Sequence, residues 1–495
     1  MSPPVPHPPA KLPRDVSALP RALLEADDLP LTGLSPEELL ERLTIGKVTA
    51  TSVTSAYLRR AALAQRLTNC LTELLWERAL ARAKELDDYF AAHGKPIGPL
   101  HGLPISVKEH IGMAGLRLTA GYVKWHDRIA EEDADVLKIL YQAGAVFHCR
   151  TTVPQTMMHL ETDSNLFGVT NNPYNVECTS GGSSGGEGAL IALRGSCLGI
   201  GSDVGGSIRN PAANCGIYGL KPTAFRIPTD GWGYMMAGAD VVDSVLGPMS
   251  TSLAGLDIFM KTILDSKPWL IEPALIPIPW RTVNLPSKLK IAVMWNDEVV
   301  QPHPPITRAL TTVAAKMREA GIEVVDWRPH LHNEAWAIIS SLYFTDGGAE
   351  DSSIIDATGE PWRPLSKWII KENPCVKKLT TGKLNYWLEE REAYRKEYAK
   401  VWNETGTTAK DTVDAILCPV GPGVAPKHNT AKYWPYTSQW NLLDYPAVSF
   451  PVMRVDKNAD VKVTRKPMTD LDEQNWELCE LSLYRLEELW EADWI

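Results

Sequence analysis

The chain is 495 residues long, 44% apolar and 22% charged, with 60 acidic against 50 basic side chains and a net charge of −10. These totals fit a globular protein of two or three average domains or one large α/β enzyme, and they argue against a general nucleic-acid binder, which carries a basic face. No leader peptide and no apolar run of membrane-spanning length stand out, so neither membrane nor nucleic acid is expected as a partner. The most apolar candidate, Trp269 to Trp280, is broken by Pro273, Pro277 and Pro279. Eight cysteines are scattered without a CxxC pair, as in a cytoplasmic protein with reduced thiols.

Taken in order, residues 1–30 hold eight prolines and little periodicity, which predicts an extended, partly disordered arm ahead of a domain over 31–495. Ser35-Pro36-Glu37-Glu38 reads as a helix start, with a serine cap, proline at the first position and glutamate at the third. Leu75, Ala79, Ala83, Leu86 and Phe90 form one face of a helix that ends at Gly94. Pro104 to Lys108 reads as a strand on which Ile105 and Val107 face one way and Ser106 and Lys108 the other. A helix through Val136, Ile139, Leu140 and Ala143 leads to a strand at 145–149.

Residues 181–222 then break the pattern. Ten of the chain's 35 glycines fall between Gly181 and Gly206, a density that calls for unusual dihedrals or close backbone approach. Ser183 and Ser184 lie in the first glycine knot and Ser207 closes the second. The apolar stretches between them, 189–193 and 198–200, predict loop, helix, short strand, loop, which returns Ser207 towards Ser183. A phosphate loop is not met, because Glu187 follows Gly186 where Lys belongs. A dinucleotide fingerprint fails at Val204. A nucleophile elbow at Ser183 lacks the buried strand before it.

Downstream, strands at 290–294, 322–325, 415–420 and 447–450 alternate with a helix at 306–320. The whole is expected to be α/β, one large domain with a central twisted mixed sheet flanked by helices. Residues 333–406 are expected to be a helical, Trp-rich, substrate-shaping insertion. His330 and His332 have no acidic or cysteine partner at metal spacing, so no metal and no cofactor are expected.

GGSSGGEGAL, GSDVGGSIRNPA and CGIYGLKPT, in this order, resemble the signature of the amidase signature family of serine amidohydrolases. Pro104 to Glu109 is similar to the family's lysine strand. Lys267-Pro268-Trp269, the proline-broken run to Trp280 and Asn441 to Val448 are similar to its fungal acetamidase and general amidase branch. The resemblance spans roughly 34–478. It implies Ser207 as nucleophile, Ser183 as the relay with a cis peptide bond before it, and Lys108 as the base. It also implies an oxyanion hole of the Val204, Gly205, Gly206 and Ser207 backbone amides, with Asp203 and Arg209 orienting the serine loops. Ser184 is left between bonding Lys108 and capping the next helix, and Glu187 is read as structural.

A base role asks for a buried Lys108, because desolvation lowers a lysine's pKa. Recruitment of His101 or His110 into a Ser-His-Asp triad is the competing arrangement. The implied reaction is hydrolysis of a neutral monocarboxylic amide to carboxylate and ammonia through an acyl-serine. The alternatives are a catalytically impaired scaffold, the amidase subunit of an amidotransferase, and an α/β-hydrolase esterase. Met157, Met158 and Trp232 to Met236 are candidates for an acyl pocket and equally for core. A homodimer is left open. One departure stands out: the core strand that relatives carry late in the chain is missing after 478, which predicts an exposed sheet edge.

Overall fold

The computed structural model describes residues 7–9, 11–234, 238, 240–286, 288–408 and 411–483. Ten strands carry the fold: β1 (Leu71–Leu74), β2 (Pro104–Lys108), β3 (Val146–Thr151), β4 (Leu198–Asp203), β5 (Tyr218–Lys221), β6 (Val245–Ser250), β7 (Lys290–Val293), β8 (Glu323–Asp326), β9 (Ala415–Leu417) and β10 (Ala447–Ser449). Seven form a mixed sheet in the order β1-β3-β2-β4-β6-β5-β10. β2 runs parallel to both its neighbours, β3 and β4. All five of its residues are buried, as an interior parallel strand requires. The parallel pairing of β2 with β4 sets their carboxyl ends side by side, so Lys108 ends one strand beside Ser202 and Asp203 on the other. Open α/β sheets bind ligands at such an edge.

The helices named below are α1 (Pro36–Thr44), α2 (Ala50–Thr68), α3 (Trp76–His93), α4 (Asp135–Gln142), α5 (Gly185–Ala192), α6 (Arg209–Cys215), α7 (Pro304–Glu319), α8 (His332–Tyr343), α9 (Ala349–Asp356), α10 (Thr381–Asn403), α11 (Pro435–Leu442) and α12 (Asp470–Leu483). α1 opens with the expected capping box: Ser35 accepts from the Glu38 amide while the Glu38 side chain accepts from the Ser35 amide. α3 ends where Gly94 takes a left-handed conformation, φ 65°, that other residues adopt at a cost. Its face of Ala79, Ala83 and Leu86 packs with α4 and β2 into the main core.

Two expectations are corrected, and one strand lies outside them. The arm is not extended throughout: Val16 is fully buried, its amide donates to the Pro173 carbonyl, and Asp28 pairs with Arg59 of α2. Apolar Val16 and Leu24 supply burial that the proline count hides. The later strands do not all join one sheet. β7 pairs in parallel with β8 and β9 as a separate sheet, and a Trp- and Tyr-rich core that includes α8, α10 and α11 packs against both β9 and β10. β6 is a strand the sequence hides, because Gly247 and Pro248 interrupt it, yet it lies between β4 and β5.

Late in the chain, residues 470–483 form α12, and no strand follows β10 among the described residues. Among the described residues β10 therefore has a single partner, β5, and Val448 is 45% exposed at the sheet edge. No helix among the described residues is long and apolar enough to cross a membrane. No disulfide joins the eight cysteines among the described residues.

Candidate active site

Strand alternation sends Ser106 and Lys108 of β2 towards α5. Ser106 donates to the Glu187 carboxylate at 2.5 Å, and Thr151 of β3 donates to its other oxygen at 2.9 Å. Gly199 makes this approach possible, because a Cβ there would sit 2.0 Å from Glu187 Oε2. Lys108 is 0% exposed, and its Nζ donates to Ser183 Oγ at 2.7 Å and to Ser202 Oγ at 2.9 Å. Burial brings its pKa down to about 7, against the opposing pull of the Asp203 and Glu187 charges. The amine is thus held by hydroxyls and exchanges its proton near physiological pH.

The peptide bond between Gly182 and Ser183 is cis. Gly182 lies against backbone, with a Cβ position 2.3 Å from the Glu161 carbonyl. Ser184 fulfils neither expected role. Its hydroxyl exchanges 3.3 Å hydrogen bonds with the Ser202 amide and carbonyl, and it makes no cap bond to α5. Its hydroxyl faces β4, so Ser202 takes the place beside Lys108.

Ser207 sits in the turn from β4 to α6, 5% exposed, and its hydroxyl makes no hydrogen bond among the described residues. The carbonyls of this turn are all tied away from it. Tyr343 donates to Val204 at 2.9 Å, Thr437 to Gly205 at 2.6 Å, and the Asn210 amide to Gly206 at 2.7 Å. The amides of Val204, Gly205 and Ser207 have no acceptor among the described residues. The Gly206 amide is different from expectation. It donates to Asp203 Oδ1 at 2.8 Å, because that carboxylate anchors the turn from below.

Asp203 also accepts from the Ile208 amide at 3.1 Å, from Arg209 Nε at 3.0 Å and from Asn441 Nδ2 at 3.0 Å. Arg209, 3% exposed, goes on to the Thr437 carbonyl at 2.8 Å and Asn441 Oδ1 at 2.7 Å. This buried pair therefore clamps the turn between β4 and α11.

Ser183, Ser202 and Ser207 share a cavity of about 340 Å3 with Met157, Met158, Trp232 and Tyr234. α8, α9 and the adjoining Phe344 add Leu342, Tyr343 and Asp351 to its wall. Met235 and Met236 lie outside the described residues. His101 is buried, and its Nδ1 accepts from the Ile97 amide; His110 lines the cavity, but its Nδ1 is engaged by the Gly233 carbonyl at 3.2 Å. Neither histidine bonds a serine hydroxyl among the described residues.

The profile of the Amidase family matches residues 52–473. This chain belongs to the amidase family. A Schizosaccharomyces pombe protein given the name of an amidase is 45% identical over 89% of this chain and 81% of its own length. The acetamidase of Emericella nidulans is 40% identical over 91% and 83%. Among solved structures, a fatty acid amide hydrolase superposes with a TM-score of 0.89 at 35% identity, covering 94% of this chain and 82% of that one. Amide hydrolysis is the activity these relationships support.

In this amidase, several site residues escape sequence reasoning. Ser202 is the second hydroxyl on Lys108, and its signal is the one hydroxyl in β4, ahead of Asp203 in an otherwise apolar and glycine strand. Tyr343, Thr437 and Asn441 come from 343 and beyond, far from the glycine knots, and nothing local announces them. Glu187, read as structural, lies in the same polar layer as Lys108, and burial pushes its carboxyl up to about 7.

Proposed function

We propose that this amidase cleaves a monocarboxylic acid amide to carboxylate and ammonia through an acyl-enzyme on Ser207, with Ser183 and Lys108 moving the proton. The observation that carries the reading is the fully buried amine of Lys108, bonded to Ser183 Oγ at 2.7 Å on the cavity that Ser207 lines.

An amide carbon is a poor electrophile and a serine hydroxyl a poor nucleophile. Ser207 Oγ attacks the carbonyl carbon as its proton passes to Ser183 Oγ and the Ser183 proton to neutral Lys108. The oxyanion takes hydrogen bonds from the free Val204, Gly205 and Ser207 amides, each worth about 3–4 kcal/mol in sites of this kind. On collapse the C–N bond breaks, and the proton returns through Ser183 to the leaving nitrogen. Water then attacks the acyl-serine, and the same relay accepts its proton. Of the neutral leaving groups, ammonia needs that proton most, which gives the relay its purpose.

Ammonia release from a panel of alkyl and aryl amides tests the reading, together with mass mapping of fluorophosphonate label. Label on Ser207 and loss of ammonia release in Ser207→Ala are expected. Label on Ser183 would instead favour an elbow-type hydrolase, and no label on folded protein a scaffold.

A further inference from the structure

The cavity wall outside the serines offers acceptors that the protein leaves without donors. His110 is 2% exposed, and its Nδ1 faces the Gly233 carbonyl, so Nδ1 carries the proton and Nε2 presents a lone pair. No hydrogen-bond partner reaches that buried Nε2. Burial, reinforced by the Lys108 charge, holds the imidazole well below its usual pKa and therefore neutral. A buried acceptor left open asks for a bound molecule that brings a donor.

Further along the wall lie Asp240, Asp243, Glu272 and Asp351, with no lysine or arginine among the described lining residues. Glu272 accepts from the Thr229 and Asp230 amides at 2.8 and 3.3 Å, and Asp351 accepts from Tyr122. Asp240 and half-buried Asp243 make no hydrogen bond and no ion pair among the described residues. Burial and the charges of Asp240 and Asp444 push the Asp243 carboxyl up, while Arg395 and Arg391 oppose them. Those arginines are committed elsewhere: Arg391 to the Val241 carbonyl at 2.6 Å, Arg395 to the Leu442 carbonyl at 2.7 Å, and both to Glu392.

Beyond the serine turn, the unsatisfied side chains named on this wall are thus acceptors, and the described lining carries carboxylates without a lysine or arginine. We infer that the cavity selects amides whose acyl chain carries a protonated amine, with Asp243 as the specificity-determining carboxylate, Asp240 beside it and His110 accepting a substrate N–H. The inference rests on the amide-hydrolase reading above and departs from the neutral substrate that resemblance implies. A neutral alkyl amide would bring its own NH2 group alone, whereas an ammonium adds donors and the matching charge.

The test uses the full-length protein and two length-matched series, propanamide to hexanamide and 3-aminopropanamide to 6-aminohexanamide, read by ammonia release. For at least one length the amino amide is expected to exceed its alkyl partner by about tenfold in kcat/KM, through KM, as a partly buried charge pair supplies. Asp243→Asn should bring that ratio towards one, Asp240→Asn should move it less, and Asp243→Lys should turn the preference towards ω-carboxylate amides. Alkyl amides hydrolysed as well as or better than amino amides at every length would overturn the inference and leave the amidase standing. Ammonia from neither series also overturns it, and fluorophosphonate labelling of Ser207 then reports separately on the amidase reading.

Discussion

The amine nitrogen of Lys108 lies 2.7 Å from the hydroxyl oxygen of Ser183, and its other hydrogen-bond partner is the hydroxyl of Ser202. A buried lysine held by hydroxyls alone loses little when it gives up its proton. Lys108→Met keeps the buried volume but removes the proposed base, and amide turnover should drop by about 10²–10⁴-fold, the range for a positioned acid–base group. Ester turnover should drop less, because an alkoxide or phenolate leaves with less help. Ammonia release and p-nitrophenyl ester cleavage on the same sample check this; equal losses would remove the relay.

Activity should follow the neutral form of Lys108. Its pKa in the fold is about 7 against an ordinary 10.5, so kcat/KM for a neutral amide should rise with pH up to about 7 and level off above. Stability is linked with the same sign. Between those two values the unfolded chain holds the proton more tightly, so the contribution of Lys108 to stability improves as pH rises through that window. Glu187→Gln removes a charge that holds the Lys108 pKa up. The acid limb should then move to lower pH, visible as greater relative activity near pH 7, where Glu187, itself pushed up to about 7, is partly ionised. A limb that stays in place or moves the other way would show that Glu187 does not act on Lys108.

How far the sequence foreshadows this arrangement depends on the residue. The meeting of Lys108 with Ser183 is implied by the resemblance; local rules reach only as far as alternation, which faces Lys108 with Ser106, and the loop-helix-strand-loop order, which returns Ser207 towards Ser183. The α3 face and the Ser35 capping box are likewise local. What stays hidden is set at a distance. The Gly206 amide is diverted by Asp203, a competition that depends on a side-chain rotamer. Ser202 displaces Ser184 at Lys108 because the hydroxyl of Ser184 faces β4. The separation into two sheets follows from which strands find partners, and β9 and β10 each satisfy local strand patterns whether they pair with each other or not.

Asp203 and Arg209 form a buried pair, 0% and 3% exposed at the side chain and 2.9 Å apart. Burial alone would raise the Asp203 pKa, but the charge and hydrogen bonds of Arg209, with Asn441, outweigh it and hold the carboxyl well below its usual range. Its stabilising contribution is therefore present above the ordinary aspartate value near 3.8 and is lost as pH falls below it. Arg209→Met leaves that carboxylate buried without its cation and should cost about 3–5 kcal/mol in urea unfolding at pH 7. Adding Asp203→Asn should recover part of the loss, because the stranded charge is gone. A double variant that is less stable than Arg209→Met would show that the pair is not the source of the cost.

Gly205 is closely enclosed in the turn that presents Ser207, although Gly206 beside it has still less room, with a Cβ position 2.3 Å from Thr437 Oγ1. A Cβ at 205 would lie 2.7 Å from Tyr343 Oη and 3.3 Å from the Trp434 ring, and Tyr343 is the group that holds the Val204 carbonyl. Gly205→Ala must therefore push the turn towards the cavity or break the Tyr343 hydrogen bond, and either change misaims the Val204 and Gly205 amides. The expected result is a fall in kcat of about 10²–10³-fold, the size of losing one oxyanion donor, with KM and unfolding midpoint changed far less. Tyr343→Phe removes the obstructing hydroxyl and also the anchor of the Val204 carbonyl, so alone it should lower kcat more modestly. Combining the two relieves the 2.7 Å clash, and the double variant should turn over faster than Gly205→Ala. If it is as slow as Gly205→Ala or slower, contact with Tyr343 is not what disables the turn, and the Trp434 ring becomes the obstacle to remove next.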